Sequence, residues 1–447
     1  MTIDKNNLPV NSELPQTVDD KVGTTSLKSY FPIRTSKKGN DFDWSTVVGL
    51  FLRKLMRKDI GSYTLNDYLE DCRALFLEKL SEKQFWNVIE EMYFSNDSIY
   101  SISPELLVFK SQQDMLKIRD EDVANLFLSL ANGLEINKFS KKCNFIEAQM
   151  VDVLDKKLKD DSKPMKVIEH TYLPFLSASF CKDIKFLCSK PVYFLTEIEN
   201  FLRLYAFTYS AQLSISISEW STCKEPTAKP LYFILEHEKA SKERIHIQKH
   251  GYQLYSYGAL NLYPILNMLE TLQPSKDEKI PLWKLAKCVK ESTNDFLKVY
   301  LKNFALRFKS DRDLQNNTTA DSAFDWLEYI FDLAKDQFND YRTDRPAIRR
   351  KYVDEIEKHF ASHFIQNRGR SGKILVLNQD YIILLTNLAI GEAADKLRFH
   401  ELIAEFKQRG IFVDKQTEQE LIKFYERIGN VERMSDSGDA VYVRKTI

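Results

Sequence analysis

The chain has 447 residues, 43% of them hydrophobic and 12% aromatic, and its 64 Lys and Arg are matched by 64 Asp and Glu for a formal net charge of zero. That length exceeds one ordinary core and predicts two or three domains, while the charge balance excludes a uniformly basic nucleic-acid binder, so local patches must carry any such contact. No apolar run reaches the roughly 20 residues of a membrane span, and Asp4 and Pro9 stand where a secretory signal needs apolar residues, so a folded cytoplasmic protein without a membrane segment is expected.

Residues 1–40 are rich in Asn, Ser, Thr, Asp and Lys, carry Pro9, Pro15 and Pro32, and read as a largely irregular tail. Residues 41–310 read as a helical core and partner-binding region. Asp43–Met56 places Trp44, Val47, Val48, Phe51, Leu52 and Leu55 on one stripe. Leu65–Leu80, Lys83–Phe94 (opened by Ser81) and Asp120–Leu130 repeat the pattern, as adjacent antiparallel helices would. Leu195–Trp220, with Phe201, Leu204, Tyr205, Thr208 and Leu213, reads as one long helix. Pro230-Leu-Tyr-Phe-Ile-Leu235 is a short apolar run; strand and buried helical turn both fit, and periodicity does not decide. The basic segment Lys239–His250 precedes Gly251 and an apolar helix to Leu272, and helices resume over Leu282–Phe308. The polar stretch Ser310–Ala320, SDRDLQNNTTA, is the best boundary. A helical connector over 321–366 follows, with helices at Phe324–Phe338 and from Pro346 to about Ile365; proline suits a first helical turn. No internal repeat is evident.

Residues 367–447 give the strongest pattern: three amphipathic helices and a β-hairpin, the order of a winged-helix domain. Asn378 caps a helix bearing Tyr381, Leu384, Leu385 and Leu388 that stops at Gly391. A second carries Phe399, Leu402, Ile403 and Phe406 and stops at Gly410; a third opens on the capping-box pair Thr417 and Glu420, carries Leu421, Phe424, Tyr425 and Ile428, and stops at Gly429. Val431–Met434 and Ala440–Arg444 flank the turn residues Ser435-Asp436-Ser437-Gly438-Asp439.

Basic residues gather beside this module. Arg342, Arg345, Arg349, Arg350 and Lys351 open one helix, and Arg368, Arg370 and Lys373 lie past its end. Such groups pair with phosphates and release counterions; the plainer reading is a solvated face paired with Asp354, Glu355 and Glu357. In a DNA-binding winged helix the third helix is the recognition helix. Here Glu418 and Glu420 in its first turns suit the helix dipole but oppose phosphates, whereas Lys415, Gln416 and Lys423, with Arg433, Arg444 and Lys445 of the hairpin, suit DNA. The net charge from residue 368 onward is only +1, so docking to protein remains open beside docking to DNA.

No catalytic, metal or cofactor site is expected. Gly369-Arg-Ser-Gly372-Lys373 looks like the tail of a P-loop, but Asn367 replaces the first glycine, Ile374 the Ser/Thr, and the segment is expected to follow a helix. His359 and His363 lack the glutamate of HExxH, Phe360 standing in its place, and His246 and His250 have no evident third ligand. Cys72, Cys143, Cys181, Cys188, Cys223 and Cys288 are scattered without a CxxC pair, as reduced thiols are. The triplets Asp155-Lys156-Lys157 and Asp277-Glu278-Lys279 have the D-x-K form of some metal-dependent nucleases but no evident partner acid.

Three stretches carry a family resemblance: Phe201-Leu-Arg-Leu-Tyr-Ala-Phe-Thr-Tyr-Ser-Ala-Gln-Leu213; Lys229-Pro-Leu-Tyr-Phe-Ile-Leu235 with Ser241-Lys-Glu-Arg244; and the ending from Phe406-Lys-Gln-Arg-Gly-Ile-Phe412 to Ser435-Asp-Ser-Gly-Asp-Ala440-Val-Tyr-Val443. In these the chain resembles the DptG (DndG) family of bacterial DNA phosphorothioation-dependent restriction systems. The likeness spans most of the chain after the tail and has no short diagnostic signature. It implies a defence role beside two partners, DptF and DptH, which are associated with ATP hydrolysis and DNA processing, in a complex that attacks DNA lacking the sulfur modification. It supplies no catalytic residues.

The expectation is therefore a mainly α, multidomain, cytoplasmic protein with a C-terminal winged-helix-like domain. Its role is a non-catalytic one: binding double-stranded DNA and scaffolding a restriction complex. The alternatives are a pure protein-interaction subunit whose winged helix docks partners and a divergent metal-dependent nuclease, with sequence-specific transcriptional regulation as a further possibility.

Overall fold

The structure, a computed structural model, describes residues 8–18, 22, 30–35, 39–80, 82–112, 116–136, 139, 144–161, 169–239, 244–275, 277–434 and 440–447. It is mainly helical, 61% helix against 8% strand.

Asp43 caps α1 (Trp44–Leu55) by accepting from the Thr46 amide, and Val47, Val48, Phe51, Leu52 and Leu55 are buried as the stripe predicts. After β1 (Lys58–Asp59) come α2 (Leu65–Lys79) and α3 (Phe85–Tyr93); Ser81, expected to open α3, lies outside the described residues. Then follow α4 (Asp120–Ala131), α5 (Phe145–Lys157) and β2 (Lys159–Asp160), which pairs antiparallel with β1. α6 (Pro174–Cys188) leads into α7 (Pro191–Ser216), the expected long helix. Residues 204–214 of α7 are buried on every side, the mark of an interior helix. It packs on α1 and α6, and on α9 and α14 introduced below.

The 230–235 run is a strand, β3 (Tyr232–Leu235). α8 (Ile245–Lys249) and α9 (Tyr252–Leu272) follow. The 282–308 stretch divides into α10 (Leu282–Glu291) and α11 (Asp295–Asp311), because Asn294 caps the second. α11 packs on α12 (Ala323–Asp336), so the polar 310–320 segment joins two packed helices. One apolar cluster runs from Val10 to Val443. α13 (Arg345–Ile356) passes through a π turn, Glu357–Ala361, into β4 (Ile365–Asn367). The helix expected to reach Ile365 thus leaves α geometry after Ile356 and ends with the π turn at Ala361, four residues early, and residues 365–367 pair with β5 (Lys373–Leu377).

Next come α14 (Gln379–Ile390), β6 (Lys396–Arg398), α15 (Phe399–Gln408), β7 (Phe412–Val413), α16 (Lys415–Arg427), β8 (Val431–Met434) and β9 (Ala440–Arg444). Asn378 caps α14 and the hairpin strands have the expected bounds; the turn 435–439 lies outside the described residues. The third helix starts three residues early: Asp414 caps it, and Thr417 is buried in its first turn instead of opening it. β6 is an element the sequence did not announce. It makes a three-stranded antiparallel sheet, β6-β9-β8.

A second sheet, β4-β5-β3-β7, draws on two distant parts of the chain. β3 runs parallel to both neighbours, Ile234 beside Val376 and Phe233 beside Val413. A parallel strand buried on both faces needs a continuous apolar run, which explains residues 231–235. The C-terminal module is fixed further by Arg409. Its Nε and Nη2 donate to Asp183 of α6 at 2.8 and 2.6 Å. Its remaining N–H groups meet Glu405 and the carbonyls of Glu405 and Leu388. Tyr205 of α7 donates to the same Asp183 at 2.6 Å.

The described N-terminal residues are irregular, as expected, but they pack closely. Val10, Leu14, Val18, Tyr30, Phe31 and Ile33 are buried. The Tyr300 hydroxyl accepts from the Leu14 amide and donates to the Asn11 carbonyl. Glu169 accepts from the Tyr30 amide at 2.9 Å, and burial raises its carboxyl to about 7.

Two outcomes are expected. Replacing Arg409 by Met strands the Asp183 carboxylate and lowers stability by about 3–5 kcal/mol in urea denaturation, while adding Asp183→Leu restores much of it. A raised carboxyl pKa means the folded state holds its proton longer than the unfolded one. The Glu169 contribution is therefore neutral below about 4.5 and unfavourable as pH rises towards 7, by roughly 2 kcal/mol after allowing for partial solvent contact; Glu169→Gln removes that slope from melts recorded between pH 5 and 8.

Candidate nucleic-acid interface

α13 carries the first basic group, and helical phase divides it. Arg349 turns inward. Pro264 lies inside α9 and has no N–H to offer the Leu260 carbonyl four residues earlier. Arg349 Nε fills that vacancy at 2.6 Å, and its other nitrogens reach Asn261 Oδ1 at 2.9 Å and Asn339 Oδ1 at 2.7 Å. Burial lowers the pKa of this guanidinium. Its role is to join α9, the end of α12 and α13. Arg342, in the preceding loop, is exposed but clasped by Asp340 and Asp313, each at 2.9 Å; its hydrogen bonds to Asp340, then Asp313, raise its pKa. Arg345 is the partly buried first residue of α13.

Arg368 and Lys373 flank the β4–β5 hairpin, where Gly369 and Gly372 take positive φ. Arg368 donates to the Glu236 carbonyl beyond β3. Lys373 pairs with Glu357 at 2.5 Å, and that hydrogen bond raises its pKa. The side chain of Arg370 lies outside what the structure describes. This segment does follow a strand, β4, correcting the expected helix; it leads into another strand, so the strand-to-helix turn of a P-loop is not formed.

On the C-terminal module, Lys415 pairs with Glu418 and Lys423 with Glu420, both at 2.7 Å. Arg433 meets Glu426 at 2.5 Å and Arg444 meets Glu432 at 2.7 Å. Lys445 is mostly buried against Asp395 and the Ala394 carbonyl. The start of α16 is anchored to the body. Arg244 binds Asp414 through two nitrogens at 2.9 and 2.6 Å, Glu238 at 2.8 Å and the Thr417 hydroxyl at 2.6 Å. Outside this anchor, Lys415, Gln416, Gln419, Lys423, Glu426 and Arg427 are exposed.

The basic residues thus lie in three groups, at the start of α13, at the β4–β5 hairpin and on the C-terminal module, and most already face an acceptor. Arg350, Lys351 and Gln416 are exposed and have no hydrogen-bond or ion-pair partner among the described residues. Sequence reading missed Lys358, exposed four residues beyond Asp354 in the π turn that continues α13; the helix phase that buries Tyr352, Val353 and Ile356 was its signal.

The other residues weighed from sequence have structural partners. His359 lies 3.4 Å from Glu355, His363 is 2.9 Å from the Tyr381 hydroxyl, and His246 stacks on Tyr232. Lys157 pairs with Asp71 and Glu278 with His170. Burial pushes the Cys72 thiol up to about 12; Cys143 lies outside the described residues. Among the described residues no group of three or more His, Cys, Asp or Glu is placed to hold a metal, and no helix is long and apolar enough to cross a membrane.

Compared with known proteins, the chain matches no family model and no curated protein.

The two adjacent arginines separate experimentally. Arg349→Ala is expected to lower stability by about 1–3 kcal/mol, since it leaves the Leu260 carbonyl unpaired. Arg350→Ala and Lys351→Ala are expected to stay within about 0.5 kcal/mol. Urea denaturation followed by circular dichroism distinguishes them.

Proposed function

We propose that this protein is a non-catalytic, DNA-contacting scaffold subunit of a phosphorothioation-dependent restriction complex, with DptF and DptH as its partners and residues 367–447 as a winged-helix-like module. The module reading is supported by the order α14, β6, α15, β7, α16, β8, β9, in which β7 pairs outside the module with β3, and by the three-stranded sheet β6-β9-β8. Assignment to the restriction complex follows the family resemblance. The observation that supports DNA contact is the exposed side of α13 and of the π turn that follows it, where Arg350, Lys351 and Lys358 have no hydrogen-bond or ion-pair partner among the described residues and Asp354 is the single exposed acid among them.

The paired cations play a secondary part. Exposed ion pairs contribute at most about 1 kcal/mol, so a phosphate can replace a carboxylate at Lys415 or Lys423 with little net gain. Arg349 belongs to the framework and leaves the contact set. Binding is therefore sequence-tolerant and dominated by counterion release.

One observation favours the second reading, a winged helix that docks protein: Lys415, Lys423, Arg433 and Arg444 each face a carboxylate of the same module.

Mobility shifts of the full chain on a short duplex, across about 50–200 mM salt, test the reading. Affinity is expected to fall steeply with salt, and Arg350→Glu with Lys351→Glu to weaken it roughly tenfold or more at unchanged fold. An unchanged affinity overturns the site. No shift at any salt, with capture of the partner proteins intact, leaves protein docking as the function. Nicking of plasmid by the purified chain with Mg²⁺ or Mn²⁺ overturns the non-catalytic reading.

A further inference from the structure

Two tyrosines stand at the edge where α9, the α12–α13 connection and α13 meet. Tyr341 is 82% exposed and Tyr257 is 73% exposed, more than any other large hydrophobic side chain described. Neither placement is accidental to the packing. Arg349 holds Asn339, two residues before Tyr341, and Asn261, one helical turn after Tyr257 on the same face of α9. One guanidinium thus ties together two asparagine side chains, each a few residues from one of the tyrosines, and the Leu260 carbonyl of α9. The helix that carries Arg349 also exposes Arg350 and Lys351, and the π turn that continues it exposes Lys358.

Rings this exposed fill no cavity in the core, and their free faces remain in water, an arrangement that a flat aromatic partner relieves. The bases of a duplex are covered by their neighbours and offer no face. Those of a single strand do, and they stack on aromatic side chains while the phosphates follow nearby cations.

We propose that this edge is a stacking platform for single-stranded DNA. Tyr257 and Tyr341 take unpaired bases on their rings, and Arg350, Lys351 and Lys358 hold the adjoining phosphates. The inference rests on the DNA-contacting reading above and adds the strand state of the ligand. Stacking accepts any base, so the platform is tolerant of sequence.

The test uses the full chain, a fluorescent oligo-dT of about 20 nucleotides and a blunt duplex of equal length, in anisotropy titrations at one fixed salt concentration. The wild type is expected to bind the single strand roughly tenfold more tightly than the duplex. Replacing both tyrosines by alanine should weaken single-strand binding roughly twentyfold or more and leave duplex binding within about twofold, while Tyr257→Phe with Tyr341→Phe retains the preference. Arg350→Glu with Lys351→Glu should weaken both ligands. If single strand and duplex bind alike and the alanine pair changes neither, the platform is wrong and DNA contact still stands. If the phenylalanine pair loses as much as the alanine pair, the hydroxyls and not the ring faces carry the contact, and stacking is overturned. If neither ligand binds, the DNA-contacting reading itself fails and takes the platform with it.

Discussion

A buried guanidinium is stable only when each donor finds an acceptor and a carboxylate balances its charge. Arg409 meets both conditions at the meeting point of α6, α7 and α15, with side-chain exposures of 2% for Arg409 and 0% for Asp183. The next residue, Gly410, turns the chain at φ +78, where a side chain would also come within 2.6 Å of Gln212. Gln212 in turn bonds the Gly410 carbonyl and both backbone groups of Lys229. Two residues later the chain enters β7 and pairs with β3. An ion pair, a glycine turn and a strand pairing therefore follow one another in five residues. Together they fix the position of everything C-terminal to them.

This constraint changes what the C-terminal module can do. Where a helix reads a groove with its N-terminal residues, the first turn must be open. In α16 that turn holds Thr417 inside the Arg244 network, while the outward side runs from Lys415 and Gln416 through Lys423 to Arg427. The module is part of one continuous core, so a ligand on its surface meets a platform that moves with the body. Such preorganisation reduces the entropy lost on binding.

Much of this architecture was legible in the sequence because it is local. The stripes of α1, α7, α14, α15 and α16 and the strands of the terminal hairpin follow from apolar spacing, and Asn378 caps where its side chain allows. What escaped was set by distant pairing. β6 has a single apolar residue, Leu397, and is a strand because β9 lies beside it; β4 ends a helix early because β5 pairs with it. The cap of α16 was misplaced because Thr417, a good cap by type, is taken by Arg244 from 173 residues away. At the site the cations were visible but their partners were not, since Asp313, Glu236 and Leu260 come from other segments. Arg349 could be told from Arg350 only through helix phase and through Pro264, whose missing amide leaves an acceptor to be filled.

A chain of zero net charge can still engage a polyanion, because charge acts locally. At physiological salt the screening length is about 8 Å, so the distant acids that balance the total have little influence at any one patch. What matters is whether a carboxylate lies within contact of each cation. On α16 and the β8–β9 hairpin it does, and a phosphate arriving there only exchanges one partner for another. Along α13 and the π turn after it three exposed cations accompany one exposed acid, and a phosphate arriving there would gain an interaction that the free protein lacks. The distribution of pairing, and not the number of basic residues, separates a surface that repacks its own charges from one that is open to a ligand.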